Sequence, residues 1–391
     1  MKSSIGVAVI GAGMAGRAHA QGYRSASTVF GAGLPDIRLV AIADLNEDLG
    51  ADAARRYGYE RAEKGWEAIA AAPDIDAVSV VVANSLHREI VEALLAAGKH
   101  VLCEKPLAPS VEDARAMVKA AEKADRVNAV GFSFRRSPAI GAIRAQVEAG
   151  ALGRPLHFNG HYWCDYGSDA NAPMSWRYKG GPGSGILADV GSHLIDVGEF
   201  LCGPVESVNG AVLSTVIPDR PVPLGVAIGH AGGVELSDRR EPVENEDVAT
   251  FTATFAGGAV GTFSVSRVAH GLPNALGFEL FCADGMAAFD VSRPAEFTLS
   301  DRVAAGPVDG HRRVLVGPDH PYIAGGLAMD FPGVAHGIND FFTYQARAFL
   351  EQIAGVDGLP PCADFAAGLH NLQLLDAVVR AAGPDGSALP G

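Results

Sequence analysis

The sequence predicts an α/β protein: an N-terminal Rossmann-type, doubly wound parallel sheet, then an α+β domain with an open, mostly antiparallel sheet. Three observations carry this. A glycine-rich turn, Gly11-Ala12-Gly13-Met14-Ala15-Gly16, joins an apolar, β-branched run to a helical pattern. Apolar strands and helices then alternate to about residue 130, as in a sheet covered on both faces. Beyond residue 131, consecutive strands alternate between apolar and polar residues and meet at glycine turns. The 391 residues, 48% hydrophobic, suffice for two domains, expected at 1–130 and 131–391. The last helix, about 365–382, is expected to pack back on the first domain.

Composition narrows the function. The net charge of −14, with no block of like charge, argues against nucleic acid or an anionic membrane as partner. Five scattered cysteines form no paired motif and read as free thiols in a reducing compartment. The apolar N-terminal run is broken by Gly6, Gly11, Gly13 and Gly16, so it reads as a buried strand rather than a signal peptide. No apolar run approaches the roughly 18 residues of a membrane span. A cytoplasmic protein is expected.

Taken in order, residues 5–10 form the first strand and 17–23 the start of a helix. Gly11 makes the tight turn, Gly13 lets backbone N–H groups approach a pyrophosphate, and Gly16 lets the helix pack on the strand. The helix N-terminus adds partial positive charge for phosphates. Strand 38–44 ends on Asp44, placed to accept ribose hydroxyls. Its spacing of 28 from Gly16 exceeds the usual value of about 20, and the excess reads as a loop insertion at 25–35. Asp44 would repel a 2′-phosphate and Leu45 offers it no donor, which favours NAD over NADP. The plainer role for Asp44 is capping the helix that begins at Asn46; both roles are compatible.

Helices are expected at 47–57, closed by Gly58, at 66–72, at 88–97, closed by Gly98, and at 111–123. Strands are expected at 77–82, 100–103 and 127–130. Ligands of such sheets sit beyond the carboxyl ends of strands, where Asn84, His87, Glu104 and Lys105 fall. Lys105, between an acid and Pro106, is a candidate to hold a substrate hydroxyl and stabilise a developing alkoxide. The alternative is a rim lysine paired with Glu104. A cis bond is expected before Pro106.

In the second domain, a helix at 139–148 and a strand at 155–162 precede a polar, aromatic loop at 165–179. Residues 180–203 open with glycines and become helical, with Leu187, Val190, Leu194, Val197 and Leu201 as an apolar stripe. Asp189 and His193, four apart, share another face with Asp196 near it, an arrangement suited to proton transfer. The alternative is a solvated amphipathic helix. Asp196 either orients His193 or faces solvent. Strands follow at 206–216, 247–255, 259–268, 278–282, 287–291 and 312–316, with a Pro/Gly-rich loop at 217–235. Gly257-Gly258 and Asp284-Gly285 signal hairpins. Helices at 341–353 and 365–382 close the chain. The uncovered sheet face is expected to be apolar and to form a homodimer or homotetramer.

These residues resemble the Gfo/Idh/MocA family of sugar and polyol oxidoreductases over nearly the whole chain. The matches are GAGMAGRAH at 11–19, Asn84 to His87 leading into AGKHVLCEKPLA at 97–108, Trp176-Arg177, GSGILADVGSHLID at 183–196 and EDVATFTATFAGG from Glu246. The resemblance implies an active site between the two domains, with Lys105, Asp189 and His193 as the catalytic trio. It implies NAD held by Gly11, Gly13, Met14, Ala15, Gly16, Asp44, Leu45, Asn84, His87, Glu104 and Lys105. It implies a sugar or polyol substrate between Lys105 and His193, with His193 as general base, the carbinol hydride passing to NAD, and no metal. Arg135, Trp176, Arg177 and His270 are candidates for reading the remaining hydroxyls. Val82-Ala83 departs from the family's Thr-Pro. Segment 25–35 and His320 to Tyr322 resemble a subgroup of inositol and levoglucosan dehydrogenases.

Other readings carry less. Twelve histidines permit a metal enzyme, but no HExxH or paired ligand spacing is present. An NAD-dependent glycoside hydrolase would break a sugar–aglycone bond without net NADH formation. A non-catalytic NAD-sensing regulator should have lost the trio, which is intact here.

Overall fold

The computed structural model describes residues 3–31, 33–225, 234–301, 310–331 and 333–383. The chain divides into two compact units: Met1–Pro138 with Gly317–Leu372, and Ala139–Val316 with Gln373–Gly391. The first unit thus extends past residue 130 and takes in a late segment that the sequence assigned to the second domain. The physical reason is hydrogen bonding to the strand Asn128–Val130: Val130 N–H donates to Ala363 O at 2.8 Å, and Phe365 N–H to the Asn128 side-chain Oδ1 at 2.8 Å. The dividing line falls inside the last helix.

The first unit holds a six-stranded parallel sheet. Its strands are β1 (Ser4–Ile10), β2 (Asp36–Ala43), β3 (Arg61–Glu63), β4 (Ala77–Val80), β5 (His100–Cys103) and β6 (Asn128–Val130), in the order β3-β2-β1-β4-β5-β6. β3 was not anticipated; three residues, two of them charged, are too few to carry a strand period. Its helices are α1 (Met14–Val29), α2 (Glu47–Tyr57), α3 (Trp66–Ala71), α4 (His87–Ala96) and α5 (Val111–Ala124). α2 has the expected limits: the Asn46 side chain accepts Leu49 N–H at 3.1 Å, and Gly58 closes it at φ 74°.

Segment 25–35 is not simply an inserted loop, because α1 continues to Val29. Helix α8 (Ile338–Ala354) explains why. Its Arg347 guanidinium reaches the carbonyls of Ala26 (3.3 Å) and Phe30 (3.2 Å), acceptors that end α1. Glu351 Oε1 accepts Arg347 Nε at 2.6 Å, and both side chains are buried. The backbones of α1 and α8 nearly touch: a Cβ on Gly22 would lie 2.7 Å from Phe342 O.

The second unit is built on an eight-stranded mixed sheet. Its strands are β7 (Pro155–Trp163), β8 (Val205–Ser214), β11 (Val248–Phe255), β12 (Val260–Ser266), β13 (Ala275–Cys282), β14 (Gly285–Asp290), β15 (Glu296–Asp301) and β16 (Arg312–Leu315). The order is β16-β15-β14-β13-β7-β12-β11-β8, and only the β7/β12 pair is parallel. Both expected hairpins form, and Gly258 takes φ 81°. α6 (Pro138–Glu148) leads into β7.

Two features differ from expectation. β15 was unforeseen. Part of the 217–235 loop, with the residues after it, forms a separate ribbon of β9 (Asp219–Pro223) and β10 (Leu236–Pro242); residues 226–233 lie outside the described ones. Prolines mask the strand pattern there. The ribbon is anchored by the buried Arg220, whose guanidinium donates to Asp169 O (2.6 Å) and Gly167 O (2.5 Å) and lies over the Tyr178 ring.

The inner face of the large sheet is aromatic. Phe251 stacks on Phe263 at 4.6 Å, and Phe158 lies 5.4 Å from Phe263 and 5.6 Å from Phe278. The opposite face is not the continuous apolar surface expected. It carries Asn159, Thr250, Thr252, Thr262 and Ser264 between isolated apolar residues such as Val212 and Val260.

Candidate active site

In the first unit, the candidate residues gather at the carboxyl ends of β1, β2, β4 and β5, where the strand order reverses between β1 and β4. The three motif glycines separate by role. Gly11 takes φ 100°, and a Cβ on it would lie 2.0 Å from Val81 O. A Cβ on Gly16 would lie 1.8 Å from Gly11 O. Both are demanded by the chain itself. Gly13 has nothing within 4 Å of its Cβ position, and it precedes the first turn of α1, where Met14 and Ala15 present N–H groups outward. That open cradle at a helix N-terminus suits a pyrophosphate.

Asp44 Oδ2 accepts Ala12 N–H at 2.7 Å and Oδ1 accepts Asn46 N–H at 2.8 Å. The carboxylate therefore ties the glycine turn to the end of β2, and each oxygen keeps a lone pair for a ribose hydroxyl. Asn46, not Asp44, caps α2. Leu45 beside it is 80% exposed.

Asn84 lies half-buried in a 3-10 turn after β4. His87, expected at the cofactor, is 1% exposed, with ring nitrogens 3.2 Å from Leu107 O and from Val82 O. Its side chain braces two loops from inside and has no surface to offer a ligand. Burial holds its pKa below the ordinary imidazole value.

Glu104 is held from below. Its Oε1 lies 2.9 Å from His19 Nε2, and Oε2 accepts Lys105 N–H at 3.2 Å. His19 Nδ1 lies 3.1 Å from Ser79 Oγ, which lies 2.8 Å from Tyr23 OH. A buried chain of four polar groups thus fixes the turn bearing Lys105. The Lys105–Pro106 bond is cis. The sequence offered one signal for His19: a histidine on the small-residue face of α1 that meets the sheet.

In the second unit, residues 180–203 do not form one amphipathic helix. Leu187–Gly191 is a π-turn, and α7 (Ser192–Cys202) follows it. Ser192 N–H donates to Leu187 O, five residues back, which leaves Ala188 O to accept Ser192 Oγ at 2.8 Å. Ser192 thereby supports the wide turn that carries Asp189. The first two turns of α7 are buried all round, Asp196 (2% exposed) and His193 (7%) included. The solvated-helix alternative therefore fails, and Asp196 does not face solvent.

Asp189 is half-buried, and its Oδ2 accepts the Tyr166 hydroxyl at 2.7 Å. Burial, then the Asp189 charge, pushes the Tyr166 phenol far above its ordinary pKa, so it remains a donor. Sequence reasoning missed Tyr166, which lies 23 residues from its partner. The Tyr162 ring lies 6.4 Å from that of His193.

Of the hydroxyl-reading candidates, Arg135 is half-buried in the first unit, 5.9 Å over the Phe132 ring. In the second unit, Trp176 is 55% exposed beneath the Arg177 guanidinium at 4.4 Å, and His270 is exposed in the turn after β12. Among the described residues no group of three or more His, Cys, Asp or Glu side chains is placed to hold a metal, and no helix is long and apolar enough to cross a membrane.

Residues 5–132 match the family described as "Oxidoreductase family, NAD-binding Rossmann fold", and residues 140–288 match the "GFO/IDH/MocA C-terminal domain". The levoglucosan dehydrogenase of Pseudarthrobacter phenanthrenivorans is 37% identical over 97% of this chain and 96% of its own. The inositol 2-dehydrogenase of Rhizobium meliloti is 28% identical over 95% of each. A levoglucosan dehydrogenase solved with NADH and levoglucosan superposes with a TM-score of 0.88 at 34% identity, covering 98% of both chains.

Proposed function

The chain belongs to the Gfo/Idh/MocA oxidoreductase family, and from that premise we propose that it oxidises a ring hydroxyl of a cyclic sugar, anhydrosugar or inositol-like polyol. It is an NAD-dependent dehydrogenase of sugar hydroxyls. The open Gly13 cradle and the two acceptor oxygens of Asp44 fit that cofactor. The negative charge of Asp44 and the apolar Leu45 favour NAD over NADP.

Bound NAD supplies the electron acceptor for the carbinol carbon. The remaining roles fall to this chain. His193 takes the hydroxyl proton as general base. Asp189 stabilises the imidazolium so formed, and the Tyr166 hydroxyl, donating to Asp189 Oδ2, fixes the direction of that carboxyl group. The Lys105 ammonium donates to the same substrate oxygen and offsets its developing negative charge. Trp176, Arg177, Arg135 and His270 are read as contacts to the other hydroxyls. What carries the reading is the placing of Asp189 and His193 on a buried turn whose bonds are set by the chain rather than by solvent.

The test is NAD reduction over a panel of anhydrosugars, inositols, aldoses and amino sugars at mildly alkaline pH. Levoglucosan leads the panel, given the relative that spans the whole chain. His193→Ala and Lys105→Met should each lower kcat by about 10²–10⁴-fold while NAD binding persists. Full turnover in either variant, or no NADH or NADPH across the panel, overturns the assignment.

We place a homodimer or homotetramer contact on the threonine-bearing outer face of the large sheet, where Val212 and Val260 are exposed. Sedimentation of the protein at micromolar concentration as a monomer would refute this.

A further inference from the structure

Three consecutive polar residues, Asn245-Glu246-Asp247, enter β11 with 1%, 2% and 0% exposure. Burial of such groups is unfavourable unless each finds partners, and here each is satisfied by a different loop. Asp247 Oδ1 accepts Arg267 Nε at 2.7 Å, and its Oδ2 accepts the N–H groups of Val216 (2.7 Å) and Ile217 (2.8 Å). Asn245 Nδ2 donates to Arg177 O and Lys179 O, both at 3.0 Å, and its Oδ1 accepts Arg267 at 2.8 Å.

Glu246 reaches the segment that leads into the π-turn. Its Oε2 accepts Gly183 N–H at 2.7 Å, and its Oε1 accepts Gly185 N–H at 3.1 Å and Leu187 N–H at 3.0 Å. Its backbone carbonyl accepts Ile186 N–H at 3.1 Å. Four donors within five residues therefore end on one residue. Gly185 is pressed so close that a Cβ would lie 2.4 Å from Glu246 O. Neither the π-turn nor α7 has a side-chain cap of its own. The carboxylate supplies, from the loop before β11, the anion that a helix start lacks.

The link to the proposed base is short. Glu246 holds Leu187 N–H, and Leu187 O receives the N–H of Ser192, the residue before His193. We propose that Glu246 is the positioning residue of this turn: through the N–H groups of Gly183, Gly185 and Leu187, it sets the phase at which Asp189 and His193 are presented. It touches no reacting atom. This rests on reading His193 as the general base.

Glu246→Gln keeps the shape but puts a donor where one N–H needs an acceptor. In the full-length enzyme, kcat is expected to fall about 10–100-fold, the loss typical of a misplacement near 1 Å. The NAD dissociation constant should stay within about twofold, since the cofactor cradle is unaltered. Amide hydrogen exchange should quicken over 183–192 and not over 11–16. Glu246→Asp, which retains the charge, should recover part of kcat. A Gln variant with wild-type kcat and unchanged exchange at 183–192 overturns the proposal. So does a Gln variant in which kcat, NAD affinity and melting temperature all fall together, because that marks general destabilisation. Wild-type turnover that survives His193→Ala would instead remove the base assignment, and this role with it.

Discussion

Gly11, Gly13 and Gly16 show how one residue type serves two masters. The backbone would clash with a side chain at Gly11 or Gly16, whereas Gly13 is free of neighbours. Gly16→Ala should therefore damage the fold itself, lowering the melting temperature, because its methyl would meet Gly11 O at 1.8 Å. Gly13→Ala should melt like the wild type yet bind NAD at least tenfold more weakly, about 1.4 kcal/mol. Parallel melting curves and NAD titrations distinguish the two; equal losses of stability would contradict the assignment. At the same scale, Tyr166 and Ser192 matter through single hydrogen bonds to Asp189 and Ala188. The first spans 23 residues, and the second, four residues apart, depends on the π-turn freeing Ala188 O, so neither residue stood out in a pattern-based reading. His87 illustrates the converse: its place after a strand suggested a cofactor contact, but burial turned its ring inward.

Elements here are often finished by partners far away in the chain. α1 outruns its expected end because Arg347, more than 300 residues later, bonds its terminal carbonyls. Removing that guanidinium would strand Glu351 in the interior and uncap α1. Arg347→Ala should destabilise the protein by about 3–5 kcal/mol, read as a shifted urea midpoint with little change in slope. A loss below about 1 kcal/mol would mean that the pair behaves like an exposed one. The π-turn belongs to the same class. Periodicity marked its apolar stripe correctly, and Leu187, Val190, Leu194, Val197 and Leu201 are all buried. The extra residue per turn was hidden, since it depends on Ser192 and Glu246 rather than on hydrophobic spacing.

Across the whole molecule, one buried and two half-buried imidazoles tie stability to pH. Burial lowers the pKa of His87, His161 and His320, the last to about 4. The unfolded chain therefore binds more protons than the folded one at these sites below the ordinary value of about 6.5. Their contribution is complete above that pH and is lost as pH falls below it, for His320 down to about 4. Protonating His320 Nδ1 would also break its bond from Tyr322 N–H at 3.1 Å. Glu246 acts in the opposite sense, since burial raises its pKa, but one carboxyl opposes three imidazoles. The melting temperature should fall steadily from pH 7 to pH 5, and His320→Gln should flatten part of that slope. A melting temperature constant over this range would refute the linkage.

The sequence by itself determined the strand–turn–helix start, the limits of α2 and of β5 and both β-hairpin turns. Each follows from a local rule: glycine where a side chain cannot fit, a cap at a helix end, or a hydrophobic period. Only the tertiary structure decided what holds the candidate site residues. His19 meets Glu104 across 85 positions, Tyr166 meets Asp189 across 23, and Glu246 meets the 183–187 segment across about 60. Hydrogen bonds between residues so far apart leave no spacing to read, because the folded backbone alone brings donor and acceptor within 3 Å.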